Sequence, residues 1–190
     1  MKKIAIFTQI LIFSLTVRAQ GRWDDKMCSY TDHQWHFHWN LDKDLEWVMK
    51  QGNEPHTVFK AVSPYGLMAY VNVNPFASAE QDKWDLWEHF EDYKKVLKTS
   101  WDKVSERTGG NVIPIKVEKC RFAGENAVKV IVKTLIKDDV HDETSYSTTY
   151  TFHKDKATWS VTVMTSPDVW NLAGEDGIKE LFVDFGPNAK

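Results

Sequence analysis

The chain has only two cysteines, six prolines and nine glycines among its 190 residues. Two cysteines are too few for a scaffold built on disulfides, so a hydrophobic core has to hold the fold together. So little proline and glycine excludes collagen-like and low-complexity chains. Beyond residue 19, no stretch approaches the roughly 18 apolar residues of a membrane-spanning helix. Charge of one sign is missing too, since 24 Lys and Arg stand against 27 Asp and Glu. That balance argues against a general nucleic-acid binder, whose phosphate contacts need a basic surface. Gly-x-Ser-x-Gly, His-Glu-x-x-His, a phosphate-cradling glycine loop and the dinucleotide fingerprint are all absent. So is Cys-x-x-Cys, the spacing of a redox pair. A hydrolase with its residues scattered over loops would leave no such linear trace, and needs a three-dimensional site to be recognised.

What is present is aromatic and addressed for export. Aromatic residues make up 13% of the chain, nine of them tryptophan, and hydrophobic residues 42%. That is enough for one domain with a sizeable core, and too little chain for two ordinary ones. Met1-Lys2-Lys3 is a short basic start, and residues 4–17 are apolar except for Thr8, Gln9, Ser14 and Thr16. Val17-Arg18-Ala19 then suits cleavage before Gln20. Residues 1–19 therefore read as a secretory signal and residues 20–190 as a single exported domain, periplasmic or secreted. No cysteine directly follows the apolar run, which disfavours a lipidated terminus. The formal charge is −3, and losing Lys2, Lys3 and Arg18 lowers it by three to −6.

The periodicities predict an α+β fold. Residues 34–41 alternate, with Trp35, Phe37, Trp39 and Leu41 on one side and Gln34, His36, His38 and Asn40 on the other, as in a half-buried strand. Residues 57–62 and 67–73 flank the turn cluster Ser63-Pro64-Tyr65-Gly66 and predict a hairpin. A long helix is predicted over 79–107, because Leu86, Trp87, Phe90, Tyr93, Leu97, Trp101 and Val104 fall within about 120° of a helical wheel. Ser78 with Gln81 resembles a capping box, and Gly109-Gly110 stops the helix. Strands are predicted around 113–117, 128–136, 145–152 and 159–163, joined by short turns into an antiparallel meander. Ile178, Leu181, Phe182 and Phe185 predict a second helix led by Glu175 and Asp176 and closed by Gly186-Pro187.

The order strand, hairpin, long helix, antiparallel strands and C-terminal helix resembles the PsbP-like group. That group includes photosystem extrinsic proteins, relatives of the Ran-binding Mog protein and many small exported bacterial proteins. The likeness spans residues 34–185. It rests on element order, on Trp35-His36-Phe37-His38-Trp39-Asn40-Leu41 and on the closing Ile178-Lys179-Glu180-Leu181-Phe182-Val183-Asp184-Phe185. It implies an antiparallel sheet packed against one long and one C-terminal helix, and a role in binding or assembly rather than catalysis. It assigns no site residue.

The residues themselves offer several candidates. On a strand, His36 and His38 would project from one face about 6.5–7 Å apart, a spacing at which two imidazoles meet one zinc or copper ion. His33, with Asp32 or Cys28, would complete the set. The competing reading places these histidines on the polar side of a strand whose aromatic side is buried. The acidic stretch 138–143 offers carboxylates but lacks a calcium-loop pattern, and a solvated hairpin tip explains it equally well. Asp24 and Asp25 are weaker still. Cys28 and Cys120 either form a disulfide, worth about 4–5 kcal/mol for a loop of this length, or remain two separate thiols. Trp23, Trp47, Trp84 and Trp170 have no clear place in the predicted core, and would form a partner-binding surface if they lie together. The resulting expectation is an exported, non-catalytic module that binds a protein, peptide or cell-envelope component. The alternative is a transition-metal protein using His33, His36 and His38.

Overall fold

A computed structural model of the chain describes residues 21–50, 55–78, 81, 84–137 and 142–187. The expected signal segment lies outside the described residues, as do Asp138, Asp139, Val140 and His141 of the acidic stretch. In chain order the elements are β1 (Gly21–Asp24), β2 (Ser29–Asp32), β3 (Phe37–Asn40), β4 (Val48–Met49), β5 (Thr57–Ser63) and β6 (Leu67–Pro75). Helix α1 (Phe90–Thr108) follows, then β7 (Asn111–Phe122), β8 (Glu125–Lys137), β9 (Asp142–Lys154), β10 (Ala157–Thr165), α2 (Pro167–Glu180) and β11 (Phe185–Pro187). The class is α+β, with an antiparallel meander and two helices.

The strands form two antiparallel sheets, a larger one in the order β4-β5-β6-β10-β9-β8-β7 and a smaller one in the order β1-β2-β3-β11. The meander is drawn tight by two-residue turns. Asp155 and Lys156 between β9 and β10, and Ala123 and Gly124 between β7 and β8, all have positive φ, which matches the twist of the strands they join. Because β6 pairs with β10 rather than with β7, the chain has to cross the sheet after β6. Helix α1 makes that crossing over the outer face. β7 ends up at the sheet edge, where Pro114 and a register shift between Pro114 and Lys116 are tolerated.

Burial follows from this layering. In β8, Val128, Val130 and Val132 face α1, while Ala127 and Ile131 face the other way, and all five are buried. The strand is thus covered on both faces, and its inner face also buries Lys129. On the inner face the small sheet and α2 close a core of aromatic rings. Trp39 lies 5.8 Å from Phe59, stacks on Phe182 and meets Phe185 edge-on at 5.6 Å. Its indole also donates to the Leu181 carbonyl at 2.9 Å. Phe37 and Trp35 both meet Trp159 edge-on.

Three predicted boundaries are corrected. The strand expected over 34–41 begins only at Phe37, because residues 33–36 form the β2–β3 turn. Asp32 builds that turn by accepting the Gln34 and Trp35 amides on Oδ1, and His36 sits at φ 54°. The long helix begins at Phe90 rather than Ala79. Asp85 accepts the Trp87 and Glu88 amides and so starts the leading turn, while Gln81 Oε1 instead accepts the Ala77 amide. The last helix spans Pro167–Glu180, with Ser166 accepting the Val169 amide as its cap, and residues 185–187 are a strand on β3 rather than a helix end. The expected stop at Gly109 holds, with φ 63°.

One ion network fastens α2 to the inner face. Gly174 breaks the helix at φ 64°, and the next residue, Glu175, pairs with Lys129 and, at 2.8 Å, with Lys116. Lys129 is 5% exposed. A buried ammonium that loses its partner is destabilising by about 3–5 kcal/mol. Glu175→Gln is therefore expected to lower stability by about that much in urea unfolding, and adding Lys129→Met is expected to restore part of it. The Lys116 and Lys129 hydrogen bonds hold the Glu175 carboxyl below its ordinary value, against the effect of burial. Its contribution is present above the ordinary Glu value and is lost as pH falls through the depressed one. Wild-type stability should accordingly fall more steeply in acid than that of Glu175→Gln, the slope being damped because Glu175 is partly solvated.

Candidate functional site

The outer face of the large sheet is only partly covered. Helix α1 contributes Phe90, Tyr93, Leu97 and Trp101 to the cluster over β8, yet none of its 19 residues is fully buried. Beside its first turns lies a groove of about 470 Å³, within the size range of ligand sites. Phe76, Trp84, Leu86, Tyr93 and Val96 form its apolar wall, and Ser78, Gln81, His153 and Thr158 add polar atoms. Leu86 and His153 also line an adjoining pocket of about 240 Å³, completed by Asp85, Arg121, Glu125 and Asn126. The two form one cleft with an apolar lobe and a polar lobe.

Each wall is held in place by identifiable bonds. The His153 ring projects from the outer side of β9, with Nδ1 2.9 Å from the Trp84 carbonyl, and Phe76 packs edge-on against it at 5.0 Å. Trp84 stacks on His89, their planes 10° apart. Burial pushes the Tyr93 phenol up, and its hydroxyl pairs with Thr151. Trp87 donates from its indole to the Ala127 carbonyl at 2.8 Å, and the Arg121 guanidinium lies 5.5 Å from its ring. Burial opposes the charge of Asp85, but the Glu88 and Trp87 amides, Asn126 and His153 together hold its carboxyl below the ordinary value. The polar lobe therefore carries an ionised carboxylate at neutral pH.

The candidates read from the sequence are distributed differently. His33 and His36 lie exposed in the β2–β3 turn and His38 on β3, so His36 and His38 do not share a strand face. Asp32, the suggested further ligand, is 1% exposed, with Oδ1 capping the turn and Oδ2 2.9 Å from the Tyr30 hydroxyl. Among the described residues, no three His, Cys, Asp or Glu side chains are gathered as a metal centre would need. Asp24 and Asp25 serve the β1–β2 turn, accepting the Lys26 and Met27 amides and the Trp23 indole.

The four unassigned tryptophans do not form one surface either. Trp47 is 3% exposed in the core, and Trp23 packs on Phe59 at 5.9 Å. Trp170 stacks on Tyr146 at the inner face, which leaves Trp84 alone in the groove. Cys28 and Cys120 are not bonded to each other in the structure, in keeping with the second of the two readings, two separate thiols. Cys28 closes the β1–β2 turn, on the side where Trp23 meets β5, whereas Cys120 lies on β7 at the opposite edge of the large sheet. Burial and the nearby Glu118 push the Cys120 thiol up to about 11.

Asp85, Arg121, Asn126 and His153 were missed because they come from separate segments and share no spacing. Only Asp85 carried a local signal: with Glu88 three positions on, it has the form of a helix start.

Two measurements check this arrangement. Unreduced protein, alkylated in denaturant, is expected to gain two labels by intact mass; no label would mean a disulfide. Asp85→Ala is expected to cost about 1 kcal/mol in urea unfolding, and Asp85→Asn only a few tenths, because Asn caps a helical turn nearly as well.

No family model and no curated protein matches the chain. Similarity is found among solved structures. The solution structure of cyanobacterial PsbP (CyanoP) from Synechocystis sp. is similar at 13% identity, with a TM-score of 0.59 over 84% of this chain and 91% of that one. A crystal structure of a Pseudomonas aeruginosa protein of unknown function shares 11% identity, with a TM-score of 0.42 over 72% and 78%. One from Bacteroides thetaiotaomicron shares 6%, with a TM-score of 0.45 over 82% and 46%. The first of these likenesses establishes that the chain has a PsbP-like fold.

Proposed function

We propose that the chain is an exported, non-catalytic module that binds a protein, peptide or other cell-envelope component through the cleft beside α1. The observation that carries this reading is the cleft itself, an aromatic-walled groove opening onto a polar pocket. Several of its polar side chains help to hold the structure. Asp85 caps a turn, His153 fixes the Trp84 carbonyl, and Arg121 donates to the Gly124 carbonyl at 3.2 Å. Groups used in this way fix the shape of the cleft, and the non-catalytic part of the proposal follows the PsbP-like likeness. Export is supported by the signal pattern of residues 1–19. Among the described residues, no helix is long and apolar enough to cross a membrane. The PsbP-like fold is compatible with a binding or assembly role and does not fix one.

A photocrosslinker tests the reading directly. Val96 is 61% exposed on the groove wall, and Leu172 is 90% exposed on α2. With p-benzoylphenylalanine at either position in the full chain, expressed in its own host, irradiation is expected to give discrete adducts from position 96 and not from 172. Identical adducts from both, or none from 96, would contradict the assignment of the cleft.

A further inference from the structure

We infer that the cleft recognises a peptide segment in which a basic side chain stands beside an apolar one. This rests on the cleft being the binding site and adds the chemistry of its ligand. Donors and acceptors in the polar lobe do not balance. Asp85 Oδ1 is satisfied by two amides, but Oδ2 receives only Asn126 Nδ2, at 3.4 Å. The Asn126 Oδ1 atom is buried and has no hydrogen-bond partner. Glu125 meets only a distant ammonium, Lys154 at 3.5 Å. Among the described residues of the lobe, Arg121 is occupied by the Gly124 carbonyl and the Trp87 ring, and His153 lies near enough to help hold the Asp85 carboxyl below its ordinary value.

What remains unspent is acceptor capacity, two of its sources being carboxylates. A ligand that complements it brings several N–H donors and a positive charge, as an ammonium or guanidinium does. A carboxylate or phosphate would bring acceptors to acceptors. The apolar lobe next door, sharing Leu86 and His153 with the polar one, then takes a neighbouring apolar side chain together with the alkyl stem of the basic one. In an extended peptide, side chains two positions apart project from one face about 6.5–7 Å apart, so both can enter abutting lobes. The chain from residue 20 onward has a formal charge of −6, so long-range steering also favours a basic partner.

The test uses three blocked peptides, acetyl-Gly-Trp-Gly-Lys-Gly-amide and its Glu and Gln counterparts, titrated into residues 20–190 and followed by amide NMR shifts. The wild type is compared with Trp84→Ala and with Asp85→Asn/Glu125→Gln, a pair that removes both charges and keeps the cap. The Lys peptide is expected to bind about tenfold or more tighter than the Glu peptide, with a preference that collapses in the double variant. Equal binding of all three peptides, lost in Trp84→Ala, would overturn the basic preference and leave the cleft as the site. No binding, or binding unchanged by Trp84→Ala, would overturn both.

Discussion

The architecture depends on the burial of Trp39. This ring is fully enclosed, and its four partners belong to different parts of the chain: Phe59 on β5, Phe182 and the Leu181 carbonyl after α2, and Phe185 on β11. A strand of four residues such as β3 has too few ladder bonds to be stable alone. It stays in place because one side chain joins the small sheet to the large sheet and to the C-terminal segment. Truncating an enclosed aromatic ring of this size costs roughly 3–5 kcal/mol, a large share of the 5–15 kcal/mol that holds a typical domain together. The Lys129–Glu175–Lys116 network is secondary, orienting α2 on a core that the rings already define.

That arrangement leaves the two faces of the large sheet unequally packed. The inner face is closed by packed rings, while the outer face carries a helix with no fully buried residue and an adjoining cleft. Rigid scaffold on one side and accessible apolar wall on the other is a division that suits binding. The cleft walls are anchored to the stable part through β8 and β9, where Asn126 and His153 sit, and through the indole of Trp87 on the Ala127 carbonyl. Their geometry is thereby fixed before any ligand arrives, which lowers the cost of association.

The parts of the fold legible in the sequence are those with a sustained period. Val128, Val130 and Val132 in β8, the 57–73 hairpin and the Phe90–Trp101 stripe each repeat often enough to declare their type. Errors arose where a period continued by coincidence. Trp35 alternates in step with Phe37 and Trp39, yet it belongs to the turn that Asp32 makes. Phe185 falls at helical spacing from Ile178, yet three residues of strand have no period to display. The true start of the last helix, a capping serine before proline at Ser166-Pro167, was passed over for the acidic pair Glu175 and Asp176. The cleft was not legible, because residues 85, 121, 126 and 153 meet only after the meander has folded.

The most direct check of the central claim, a closed aromatic core behind a more lightly held outer face, is native-state hydrogen exchange. The account predicts that amides of β8 exchange only through global unfolding, while those of α1 exchange through a smaller opening with clearly lower protection. Equal protection of α1 and β8 would contradict it, showing that the outer face is as firmly packed as the core around Trp39.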